Sequence, residues 1–121
     1  MKILVADPIH EEGVKLLEEF AEVEVALGLS RSELLDRVKD CDVLVVRSAT
    51  QVTKEIIDAG KQLKVIARAG VGLDNIDVEA AQAKGVKLVN APEAPTVAVA
   101  ELVFGFMLAW SRRLILSLIH I

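Results

Sequence analysis

Apolar and polar positions alternate in short blocks along the chain. Ile3-Leu4-Val5-Ala6 is a buried strand that ends at Asp7-Pro8. Glu11 to Phe20 follows at close to helical spacing, with Val14, Leu16, Leu17 and Phe20 apolar and acids between them. Val23-Glu24-Val25 is a second strand. Ser30 is an N-cap with Glu33 three residues on, a capping box, and Leu34, Leu35 and Val38 form the inner face of that helix. Val43-Leu44-Val45-Val46 is apolar throughout, as a strand covered on both faces should be. Thr53 opens a helix through Ile56, Ile57 and Ala59, which Gly60 closes. Leu63 to Ala67 is a fourth strand, Asp77 to Lys84 a helix capped by Gly85, and Val86 to Val89 a fifth strand.

Strands alternating with helices at this pace predict an α/β fold: a flavodoxin-like, parallel five-stranded sheet with helices on both faces, over residues 1–90 or so. After Asn90 comes a stiff segment, Ala91-Pro92-Glu93-Ala94-Pro95, and then a long C-terminal helix from Val97 to about Arg113. Aromatic residues are only 3% of the chain, so the core is aliphatic. The single cysteine, Cys41, excludes an internal disulfide, reads as a small buried hydrophobe and suits a reducing cytoplasm. A net charge of -4 with no basic stripe argues against nucleic acid as a partner. Glu101, Arg112 and Arg113 break the apolar C-terminal run short of the ~20 residues a membrane span needs.

In a sheet of this kind ligands gather at the carboxyl ends of the strands. Three loops emerge there: Asp7-Pro8, Arg47-Ser48-Ala49-Thr50, and Arg68 to Asn75. An Arg directly after a buried strand, beside two hydroxyls, is suited to clamp a carboxylate or phosphate; the competing reading pairs Arg47 with an acid such as Asp74. Gly70 and Gly72 either let the backbone approach a ligand or serve a turn with positive φ. They are not a dinucleotide fingerprint, because the third glycine position is Asn75. Asp74 to Asp77 reads as a cap for the next helix. Asn90 either holds the elbow or touches a ligand, and Glu101 meets a partner domain or solvent. No metal-ligand cluster or Ser/His/Asp set is present, and His10 reads as a surface residue.

Three stretches in order, Val45 to Thr50, KVIARAGVGLDNIDVE (64–79) and VNAPEAPTVAVAELVFG (89–105), resemble the D-isomer-specific 2-hydroxyacid dehydrogenases over about residues 1–113. Arg-Ser-Ala-Thr is most similar to the phosphoglycerate dehydrogenase branch, which feeds serine synthesis. The resemblance implies that Arg47 and Ser48 bind the anionic end of the substrate, that backbone groups of Ala69, Gly70 and Val71 hold its carboxylate, and that Val71 lies against the nicotinamide of NAD. It implies residues 1–95 as the N-terminal part of a substrate-binding domain and 96–113 as the crossing helix into a nucleotide domain. The parent would be a homo-oligomer acting on a 2-hydroxy acid, with 3-phosphoglycerate the expected one. Relatives often carry Gly-Asn where this chain has Ala94-Pro95. The family's NAD fingerprint and its catalytic Arg, Glu and His would lie beyond residue 121, so the chain is expected to be an N-terminal fragment, inactive alone and without tight NAD binding. Leu114 to Ile121 departs from the family, and LSLIHI is what a transposase sequencing adapter encodes, so 114–121 reads as a non-native tail.

Two rivals share the fold. A non-catalytic small-acid-binding module would keep Arg47 and the glycine loop. A phospho-receiver domain would need an Asp where Arg47 stands and a Lys where Asn90 stands.

Overall fold

The computed structural model describes residues 1–91 and 96–111. They comprise β1 (Lys2–Val5), α1 (Glu11–Glu18), β2 (Glu22–Val25), α2 (Arg31–Val38), β3 (Val43–Val46), α3 (Lys54–Ala59), β4 (Val65–Arg68), α4 (Val78–Lys84), β5 (Lys87–Asn90) and α5 (Thr96–Ser111). The stretch 92–95, with Ala94-Pro95, and the tail 114–121 lie outside the described residues, as do Arg112 and Arg113.

All five strands are parallel, in the order β2-β1-β3-β4-β5. This is the flavodoxin-like arrangement expected from the sequence, and its strand order reverses between β1 and β3. Successive side chains of β1 face opposite ways. Leu4 and Ala6 join Leu34, Val38, Ile56, Ile57, Ala80 and Ala81 in the larger core, beneath α2, α3 and α4. Ile3 and Val5 join Val45 in a thinner core against Ile9 and Leu17.

The helix ends follow local chemistry. The Ser30–Glu33 capping box forms at α2, and Gly85 closes α4 at φ 80°. One expectation changes. Helix α1 ends at Glu18 and turns Val14 and Leu17 half inward, leaving Leu16 and Phe20 exposed at 57% and 74%. Those four residues span more than one face of a 3.6-residue helix, so the thin core admits only one pair. Gly60 closes α3 without a left-handed turn (φ -77°). A Cβ there would lie 2.9 Å from Leu63 Cβ and 3.2 Å from Val38 Cγ2, so close packing requires this glycine. The carbonyls that α3 leaves open at Ile57 and Gly60 both accept from Lys84 Nζ, at 2.5 Å.

Candidate functional site

The parallel register puts Val46, Arg68 and Asn90 side by side at the carboxyl edge of β3, β4 and β5. The three loops singled out from the sequence leave the sheet at this edge. Buried polar groups determine their shapes.

Asp7 is 3% exposed, and both of its carboxylate oxygens are used. Oδ2 accepts from the backbone N–H of Arg47 (2.7 Å) and of Thr50 (3.1 Å), and Oδ1 accepts from the Thr50 hydroxyl (2.6 Å). The carboxylate thereby folds residues 47–50 into a compact turn over the end of β1. The Arg47 side chain is exposed and does not pair with Asp74. Its Nη1 donates to the Pro8 carbonyl at 3.2 Å, and its other N–H groups have no hydrogen-bond partner among the described residues. Ser48 is likewise exposed, its hydroxyl unpartnered among the described residues. One guanidinium anchored at one point and one free hydroxyl leave most of a planar donor set facing solvent.

The glycine loop is built from underneath by Arg68, which the sequence reading placed at the start of this loop without assigning it a role. Its side chain is only 11% exposed. Nε donates to Asn75 Oδ1 at 2.8 Å, and Nη2 lies 3.8 Å from the exposed carboxylate of Asp74. A Cβ on Gly70 would sit 2.8 Å from Arg68 Nη1, and one on Gly72 would sit 2.8 Å from Asp74 Oδ1 and 3.7 Å from Arg68 Nη1. Positive φ among the described glycines occurs only at Gly28 and Gly85. Gly70 and Gly72 therefore make room for the buried guanidinium and its acid, and the positive-φ turn does not form.

The backbone groups of the loop divide unevenly. Ala69 N–H donates to Val46 carbonyl (2.8 Å) and Gly70 N–H to Arg68 carbonyl (2.9 Å), so both are committed within the protein. The carbonyls of Gly70 and Val71 are also held, by Ala91 N–H (2.9 Å) and Asn90 Nδ2 (2.7 Å). The N–H groups of Val71 and Gly72 have no partner among the described residues. A loop whose carbonyls are tied down and whose next two amides stay free presents donors to an anion. The Val71 side chain is 45% exposed.

Asn75 is 5% exposed and does not cap a helix. That role falls to Asp77, whose Oδ1 accepts from Ala80 N–H at 3.0 Å. Asn90 Nδ2 donates to the Val71 carbonyl and so supports the glycine loop, while the elbow that follows Ala91 lies outside the described residues. His10 caps α1 from the surface, its Nδ1 accepting from Glu12 N–H. Among the described residues no group of His, Cys, Asp and Glu could hold a metal ion.

A model of the D-isomer specific 2-hydroxyacid dehydrogenase catalytic domain matches residues 3–112. The chain belongs to this family. It is 60% identical to a D-3-phosphoglycerate dehydrogenase of Methanocaldococcus jannaschii over 94% of the chain and 22% of that relative. It is 51% identical to a hydroxypyruvate reductase of Thermotoga maritima, over 93% of the chain and 37% of that protein. Among solved structures, an NAD+-bound 3-phosphoglycerate dehydrogenase from Entamoeba histolytica superposes with a TM-score of 0.77 at 37% identity, covering 90% of this chain and 38% of that one. The chain thus spans from about a fifth to two fifths of the length of these relatives of the dehydrogenase family.

Proposed function

We propose that this chain is the substrate-side domain of an NAD-dependent dehydrogenase acting on 3-phosphoglycerate, a cytoplasmic enzyme of serine synthesis. The observation that carries the reading is the pairing of a solvent-facing Arg47 guanidinium with two unpartnered amides, at Val71 and Gly72, on one edge of the sheet. A substrate with a phosphate at one end and a carboxylate at the other offers one anion to each. Arg47 and Ser48 take the phosphate, a fork and a hydroxyl matched to its oxygens. The glycine loop takes the carboxylate. Ala69 and Gly70 contribute by shape, since their amides already donate inside the protein, and Val71 and Gly72 supply the free N–H groups.

The residues present fit NAD only at one point. The exposed Val71 side chain is an apolar surface for the nicotinamide ring. The first turn of the sheet is closed by Asp7 and contains no glycine, so it offers no cradle for a pyrophosphate. NAD supplies hydride chemistry in such enzymes, and a general acid/base must act on the substrate oxygen. This chain's part is to bind and orient the acid. The NAD site, the acid/base residues and the homo-oligomer contacts belong to the nucleotide domain of the parent enzyme.

Titration of the 15N-labelled chain with 3-phosphoglycerate tests this. Shifts at Ser48, Val71 and Gly72, lost or weakened about tenfold or more in Arg47→Ala, are expected from removal of a charged hydrogen-bonding partner. Binding that ignores Arg47→Ala refutes the assignment. Addition of NAD to the same chain should give no turnover.

A further inference from the structure

The Arg47 loop and the glycine loop come from different strands, and no side chain in either loop holds the other except through one residue. Asn75 Nδ2 donates to the carbonyls of Arg47 (2.5 Å) and Thr50 (2.8 Å), while its Oδ1 accepts from Arg68 Nε (2.8 Å). Its own carbonyl accepts from Val52 N–H at 2.8 Å, and Asp77 N–H returns a bond to Val52 carbonyl at 2.9 Å, forming a parallel bridge between Val52 and Ile76. Every polar atom of the buried amide is thereby occupied, with one end on the Arg47 loop and the other on the guanidinium beneath Gly70 and Gly72.

We propose that Asn75 is a positioning residue that fixes the spacing between the two anion-binding loops, and so the length of acid the site accepts; this rests on the substrate reading given above. The amide is suited to the task because it donates and accepts at once. Two carbonyls need a donor and an arginine needs an acceptor, and the neutral side chain meets both without adding charge beside an anion site. Asp in its place keeps the bond to Arg68 and sets a second acceptor against two carbonyls. Ala removes all three bonds and leaves buried polar groups unmatched.

The experiment uses the full chain as wild type, Asn75→Asp and Asn75→Ala, each labelled with 15N. Relaxation and amide exchange are read without ligand, and 3-phosphoglycerate and the shorter glycolate are then titrated at low and high salt. Amides of Leu44 and Ile66 report on the folded core. The expected result with Asn75→Asp is an intact core, loss of order in both the 48–50 and 70–72 loops, and affinity for 3-phosphoglycerate lower by about tenfold at both salt concentrations. Affinity for glycolate, which needs only the glycine loop, falls less. Order lost in one loop only, or both loops as ordered as in wild type with affinity within twofold at high salt, overturns the proposal. If Asn75→Ala does not fold, Asn75→Asp alone decides. If wild-type loops are ordered but 3-phosphoglycerate shifts nothing, the substrate reading fails, and coupling between the loops is decided by the relaxation data.

Discussion

At the scale of single residues, buried polar side chains do more to shape this site than the exposed ones that would touch a ligand. Asp7 accepts three hydrogen bonds from one loop, and its replacement by Ala leaves two backbone donors and a hydroxyl without a partner. We expect Asp7→Ala to cost about 2–4 kcal/mol of stability, read as a lower midpoint in urea with an unchanged slope. Gly70→Ala has a narrower effect, because the added methyl meets the end of a flexible Arg68 side chain and no backbone. It should displace the guanidinium and weaken 3-phosphoglycerate binding while the unfolding midpoint moves little. Cys41 gives a pH signature. Burial, helped by the charge of Asp42, pushes its thiol up to about 11 from an ordinary 9.0. The raised value means that the folded state resists ionisation. Stability is therefore intact below about pH 9 and falls as the pH rises towards 11. Denaturant melts of wild type and Cys41→Ala between pH 8 and 11 should diverge in slope above pH 9, with the variant falling less.

At the scale of elements, the strands and helices are set by pattern and their ends by specific bonds. Helix α3 has only six residues, and its N-cap Thr53 makes no side-chain capping bond. It depends at its other end on Lys84 from α4, whose ammonium sits on the carbonyls of Ile57 and Gly60. Lys84→Met keeps the apolar stem and removes that cap; a loss of about 1–3 kcal/mol is expected, with faster amide exchange confined first to α3. Helix α1 contributes no fully buried residue, so the sheet face it covers is the less protected of the two. The candidate site lies on the loops between elements, where binding residues on a rigid sheet are commonly found.

At the scale of the whole chain, one well-formed unit runs from Met1 to Ala91, and a second, from Pro92 onward, contains α5. Helix α5 exposes Val103, Phe104 and Met107 at 51–64%, a stripe of large apolar side chains in water. A face of this kind favours association. Sedimentation of the chain should show self-association that Phe104→Glu together with Met107→Lys reduces. Monomeric wild type at high concentration would contradict this. No helix among the described residues is long and apolar enough to cross a membrane.

The sequence by itself determined the α/β class, the five strands and their parallel direction, the capping box at Ser30, the helix cap at Gly85 and the edge where the candidate loops gather. Each follows from local periodicity or from a residue's intrinsic backbone chemistry, which needs no distant partner. The stretches around Arg47 and Gly70 also carried the family resemblance. Tertiary structure decided what Gly60, Gly70 and Gly72 are for, since each depends on an atom brought close by folding. It decided that Arg47, with no ion pair among the described residues, donates only to the Pro8 carbonyl, while Arg68 goes under the glycine loop beside Asp74. It gave the three loops their common frame in Asp7, Asn75 and Asn90, whose partners lie 19 to 43 residues away, apart from the Arg68 bond to Asn75. A hydrogen bond between groups so far apart leaves no period in the sequence, and only the packed sheet edge brings its donor and acceptor together.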